Sequence, residues 1–139
     1  MKFPLTLTAL TALTALLAAA TALAAPAGDR SGLLADNQGM TLYVFKSDSL
    51  GASRCNDPCV RPWPPLEAAA GQKAEGDFSI LRRDDGRAQW AYKGQPLYRF
   101  AGDAAPGDAN GEHAGAAWST VRLKPAEQRA GGSASDYAY

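Results

Sequence analysis

Gly39-Met40-Thr41-Leu42-Tyr43-Val44-Phe45-Lys46-Ser47-Asp48 is followed 55 positions later by Gly94-Gln95-Pro96-Leu97-Tyr98-Arg99-Phe100-Ala101-Gly102-Asp103. Glycine, leucine, tyrosine, phenylalanine and aspartate match in register, and the same offset carries Trp63 onto Trp118. Ordinary residue usage gives about one match in ten by chance. The chain therefore holds an internal duplication, two units each too small to bury a core alone and packed on each other. Within each copy the side chains alternate as in a strand, Tyr43 and Phe45 to one side, Leu42 and Val44 to the other. Val44 becomes Arg99 while the aromatics persist. The aromatic side is thus expected to be the core face, and the Val44/Arg99 side partly wet.

Outward from this pair, short alternating runs are broken by Gly, Pro, Asn and Asp, with no helical period after the N-terminal segment. Leu33-Leu34-Ala35 leads into the turn cluster Asp36-Asn37-Gln38-Gly39. Residues 78–83 and 88–92 read as strands, and Asp85-Gly86 between them signals a type I′ hairpin. Lys93-Gly94-Gln95 makes the next turn, and Pro96 marks an edge because it cannot donate to a ladder. Trp118 to Leu123 closes the second unit. Its counterpart Trp63-Pro64-Pro65-Leu66 carries two prolines that forbid a central strand. The expected fold is all-β, a small sandwich or partly open barrel of six to eight strands built from two pseudo-symmetric repeats of about 55 residues.

Residues 1–25 read as a signal peptide: Lys2, an apolar Leu/Ala/Thr run, then Ala22-Leu23-Ala24 as the cleavage site. A single β-domain is expected over 26–124, with repeats at about 31–77 and 78–124, and a disordered tail over 125–139. Loss of Lys2 leaves one more acidic than basic residue. Without a basic stripe, nucleic acid is not an expected partner. No second long apolar run follows, so no membrane span is expected after cleavage. An exported chain with only Cys55 and Cys59 reads first as a disulfide. A redox or metal-binding pair is the alternative, disfavoured by the C-x-x-x-C spacing and by Asp57, which raises a neighbouring thiol pKa.

Tyr43-Val44-Phe45-Lys46-Ser47-Asp48 and Tyr98-Arg99-Phe100-Ala101-Gly102-Asp103 each fit a Yx(FWY)xxD motif. With the Cys55–Leu66 segment (C-x-x-x-C then WPPL), Asp85-Gly86 and Gly94-Gln95-Pro96-Leu97-Tyr98, the chain resembles a bacterial family of secreted repeats of unknown function, described as predicted lipoproteins with that motif. The resemblance runs from about Leu33 to Leu123 and implies export and this fold, but no activity. The chain departs from it in lacking a lipid-attachment cysteine after the apolar run.

Few residues offer chemistry. Asp48 and Asp103 each end a strand and are expected to brace their loops by accepting N–H groups, which would depress their pKa values. Asp103, Asp108, Asn110 and Glu112 make an oxygen-rich loop that suits a hard cation, though their spacing is not that of an EF-hand and a solvated turn explains them as well. His113 is the only histidine and cannot supply a catalytic zinc shell alone. No G-x-S-x-G elbow is present. Trp63, Trp90 and Trp118 could line a sugar- or cell-wall-binding face, but such rings more often fill a small core. The chain therefore reads as a periplasmic or secreted, non-catalytic module without cofactor, binding an envelope protein or small ligand. The alternative is a periplasmic metal-binding or redox accessory protein using Cys55, Cys59, His113 and the acidic loop.

Overall fold

The computed structural model describes residues 25–28 and 31–125. The leader expected over 1–25, except Ala25, and the tail beyond Pro125 lie outside the described residues. Among the described residues the elements are seven short strands and one 3-10 helix: β1 (Ala27–Gly28), β2 (Leu34–Ala35), β3 (Tyr43–Phe45), β4 (Phe78–Arg82), β5 (Ala88–Tyr92), β6 (Gln95–Pro96), the helix Asn110–His113, and β7 (Trp118–Thr120). All pairings are antiparallel, β1 with β2, β3 with β7, and β5 between β4 and β6. The fold is all-β, and no ladder closes into a barrel among the described residues.

The backbone hydrogen bonds of the two halves correspond. Lys46 N–H donates to Ala117 O and Ala101 N–H to Pro62 O, both at 2.9 Å. Tyr43 lies opposite Thr120, and Tyr98 opposite Pro65. Leu34 N–H meets Val121 O as Trp90 N–H meets Leu66 O. These outer strands match at an offset of 56 rather than 55, because the turn over 36–40 is one residue longer than that over 92–95. Pro64 and Pro65 do not keep their segment out of the pairing. Their missing donors are not needed, since Arg99 N–H donates to Pro64 O and the prolines supply only carbonyls.

The turn chemistry differs from the sequence expectation. Between β4 and β5 only Gly86 has positive φ (84°), while Gly86 N–H bonds Arg83 O and Arg83 N–H bonds Arg87 O. That is a three-residue loop ending in a left-handed glycine, not a type I′ turn. The two-residue loop with positive φ at both positions is Lys93-Gly94 (49° and 81°), which joins β5 to β6. Pro96 does stand on the edge strand of its sheet.

The core also differs. Leu42 and Val44 join Leu34, Leu66, Trp90, Tyr92, Leu97 and Leu123 in one apolar cluster. Tyr43 joins Cys55, Trp63, Tyr98 and Trp118 in a second, with Phe45 packed at its margin. The central strands are thus covered on both faces, and the Val44 side is not wet: Val44 is 9% exposed. Arg99, on the corresponding face of the second copy, remains half-buried because its guanidinium pairs with the buried carboxylate of Asp36.

Candidate functional site

Where the two repeats meet, Tyr43 and Tyr98 exchange both backbone hydrogen bonds at 2.9 Å. Both side chains are fully buried. Each phenol then reaches the aspartate of the other copy: Tyr43 Oη donates to Asp103 Oδ2 and Tyr98 Oη to Asp48 Oδ2, both at 2.7 Å. The second oxygen of each carboxylate closes its own loop, Asp48 Oδ1 accepting Arg54 N–H (2.7 Å) and Asp103 Oδ1 accepting Asn110 N–H (2.9 Å). The spacing of the motif follows from this geometry. Tyr43 sits on β3 and Tyr98 on the segment bridged to it, and each aspartate stands three residues past the phenylalanine, where Asp48 N–H and Asp103 N–H turn back to Phe45 O and Phe100 O. Sequence reasoning anticipated the loop bracing and missed the tyrosine partners, because a reciprocal contact between copies leaves no trace in either copy alone.

The aromatic members complete the site. Trp63 and Trp118 stack face to face, with centroids 3.9 Å apart and planes at 6°. Phe45 stacks on Trp118, and Phe100 packs tilted by 34° against Trp63, both with centroids 4.5 Å apart. The result is a column ordered Phe45, Trp118, Trp63, Phe100. Tyr98 meets Trp118 edge-on at 5.1 Å and Tyr43 meets Trp63 edge-on at 5.3 Å. Such stacked and T-shaped pairs add about 0.5–1.5 kcal/mol each beyond area burial.

The two ends of the site are not alike. Tyr43 Oη accepts Gly111 N–H at 3.1 Å, and a side chain at Gly111 would fall 2.6 Å from the Tyr43 ring and 2.9 Å from Trp63. Tyr98 Oη instead shares a 2.6 Å hydrogen bond with Ser53 Oγ. Behind it lies Arg83, whose side chain is fully buried and donates to Ser53 Oγ, Gln89 Oε1 and Cys55 O at 2.6–2.9 Å. Asp85, at 3.4 Å, gives it a carboxylate that is partly in water. Nothing in the sequence singled out Arg83, which reads there as the last residue of the strand over 78–83.

Burial dominates the electrostatics. It pushes the Tyr98 phenol up to about 12, with the Asp48 carboxylate adding to the rise. Tyr43 is raised further, by burial and then by Asp103. Asp48 is raised, not depressed as the sequence reading expected: desolvation outweighs the N–H of Arg54 and the hydroxyl of Tyr98. Asp85, by contrast, is held well below the carboxylate range by Arg87 and Arg83. At neutral pH both phenols are therefore firmly protonated donors, suited to bracing carboxylates and not to acting as bases.

Cys55 and Cys59 form a disulfide, which occupies both thiols. In the acidic loop Asp103 is spent on Tyr43 and Asn110 N–H. Asp108 Oδ2 accepts Ala104 and Ala105 N–H (2.9 and 3.0 Å), and Asn110 Nδ2 reaches Gly102 O at 3.5 Å. Glu112 takes Thr120 Oγ1 and Arg122, and His113 is exposed at the end of the 3-10 helix. Among the described residues no three His, Cys, Asp or Glu side chains are grouped to hold a metal. No helix among them is long and apolar enough to cross a membrane.

A groove of about 190 Å³ opens elsewhere, lined by residues that include Asp36, Gln38, Glu67, Gln72 and Arg99. Arg99 Nη2 reaches Gln38 Oε1 at 3.2 Å and pairs with Asp36, while its buried Nε has no hydrogen-bond partner.

A family model described as a secreted repeat of unknown function matches residues 29–67 and 79–122, one match to each copy. No curated protein and no solved structure matches the chain.

Proposed function

Because the chain belongs to the family of secreted repeats of unknown function, we propose that it is an exported, non-catalytic binding module of the cell envelope. One observation carries this reading. The phenols and carboxylates of the duplicated motif are spent on each other and on loop N–H groups, so the motif serves as a brace and recognition falls to the surface it supports. The groove beside Arg99 is one recess on the described surface. Carboxylates and amides line it, with the Arg99 guanidinium paired to Asp36 and Gln38 among them. This set suits a hydroxyl-rich ligand such as an envelope glycan fragment, because every hydroxyl both donates and accepts.

The test is a calorimetric and NMR titration of the disulfide-bonded mature protein with soluble cell-wall glycan fragments, beside Arg99→Leu. Saturable binding with shifts centred on Gln38, Gln72 and Arg99, weakened in the variant, supports the reading. Absence of binding overturns the ligand class. Mass spectrometry of the recovered fragments tests the non-catalytic part, which a change in their mass would overturn.

A further inference from the structure

The column Phe45, Trp118, Trp63, Phe100 runs through the second core, with its two tryptophans 8% and 5% exposed and its two phenylalanines half-buried. Both ends thus approach the surface while the oxidisable indoles stay inside. Tryptophan and tyrosine are the side chains most readily oxidised by one electron. Two indoles stacked at 3.9 Å share a positive charge over both π systems, and π faces attract cations. A phenol loses its proton when it loses an electron, so it needs an acceptor already in place. Both buried tyrosines have one: Asp48 Oδ2 for Tyr98 and Asp103 Oδ2 for Tyr43, each at 2.7 Å. Each tyrosine also touches one indole of the stack edge-on. Indole pair, phenol and waiting carboxylate are thus assembled twice.

We propose that this assembly is a one-electron oxidation site: it reduces diffusible one-electron oxidants of the envelope, such as free radicals, and holds the oxidation as a buried tyrosyl radical on Tyr98 or Tyr43. An indole of the stack gives one electron to the oxidant, which is reduced by one electron. Tyr98 then returns an electron to the Trp118 radical cation and passes its hydroxyl proton to Asp48 Oδ2. The products are neutral Trp118, a neutral Tyr98 phenoxyl radical and a protonated Asp48. Tyr43, Trp63 and Asp103 do the same on the other side. The cations facing Tyr98 oppose a charged phenol, while burial of Asp48 outweighs their pull against its taking the proton. Arg83 is linked to Tyr98 through Ser53 and Gln89, and Arg54 stands at Asp48. A bare phenol cation beside two guanidinium groups is disfavoured, whereas the neutral radical is not. This activity is independent of ligand binding in the groove.

Photogenerated tris(bipyridine)ruthenium(III), followed by freezing and electron paramagnetic resonance, tests it on the full mature chain. Tyr92, Tyr137 and Tyr139 are the competing tyrosines. The parent and a Tyr92→Phe/Tyr137→Phe/Tyr139→Phe variant, which leaves Tyr43 and Tyr98 untouched, should give the same persistent tyrosyl signal. Tyr43→Phe/Tyr98→Phe should lose it and show a tryptophanyl radical instead. A tyrosyl signal lost in the triple variant, or no tyrosyl signal in the parent, overturns the proposal. So does an unchanged signal in the double variant. Should the double variant fail to fold, the triple variant decides alone.

Discussion

Tyr43→Phe removes a single oxygen from the centre of the brace. The ring is fully buried, and its contacts with Trp63 and Phe100 survive the change. What is lost is the bond to the Asp103 carboxylate at 2.7 Å and the acceptor for Gly111 N–H at 3.1 Å. A hydrogen bond to a charged group contributes about 1.5–3 kcal/mol, and an orphaned buried N–H costs about 1–3 kcal/mol. Because the two losses share one oxygen they do not simply add, and the expected cost is about 3–5 kcal/mol. Tyr98→Phe is its equivalent in sequence but not in energy. Its lost partners are side chains that can re-pair: Ser53 Oγ keeps Arg83 Nη1 at 2.9 Å and Cys55 N–H at 3.3 Å. That variant should cost about 1.5–3 kcal/mol. Urea unfolding of both variants and the parent, with unchanged m values, measures the difference. For a domain of this size the Tyr43 variant should also melt at least about 12 °C lower. A Tyr43→Phe cost below about 0.5 kcal/mol, or Tyr98→Phe proving the more damaging, would refute the reasoning.

Other measurements bear on the same site. With Tyr98 raised to about 12 from an unfolded value of about 10, its share of stability is intact below pH 10 and lost as pH climbs toward 12, about 2–3 kcal/mol in all. The parent should therefore lose stability over that window more steeply than Tyr98→Phe, and parallel curves would contradict this. Asp48 carries the opposite lesson from the one its motif invites. Its folded pKa is raised, so its contribution is greatest below the unfolded value of about 3.9 and declines as pH rises through the folded one. Asp48→Asn should accordingly compare worst with the parent in acid, and a gap that widens toward neutral pH would count against it. Gly111→Ala drives a methyl to 2.6 Å from the Tyr43 ring and should cost about 1–3 kcal/mol in denaturant midpoint. Removal of the disulfide by Cys55→Ser/Cys59→Ser should cost about 2 kcal/mol, the loop entropy of so small a ring. Intact mass with and without reductant checks that the bond is there to lose.

The duplication, the strand content and the pairing of Cys55 with Cys59 were legible in the chain because each depends on local spacing or on compartment chemistry. The hairpins were placed correctly for the same reason. The type I′ turn expected at Asp85-Gly86 falls instead at Lys93-Gly94, because the number of loop residues between paired strands, and not the Asp85-Gly86 dipeptide, decides which positions take positive φ. Beyond that range local pattern says nothing. Alternation separates Leu42 and Val44 from Tyr43 and Phe45, yet it cannot tell which face is buried when both are, as here between two apolar clusters. Arg83 reads as the last residue of a strand until the 53–55 segment folds over it. Each motif aspartate needs a partner 50 or 60 residues away. The raised pKa of Asp48 rests on desolvation, which exists only once the two copies have closed on each other. Periodicity is a property of neighbours along the chain and survives in the sequence. Burial and reciprocal contact are properties of neighbours in space, and only the packed structure decides them.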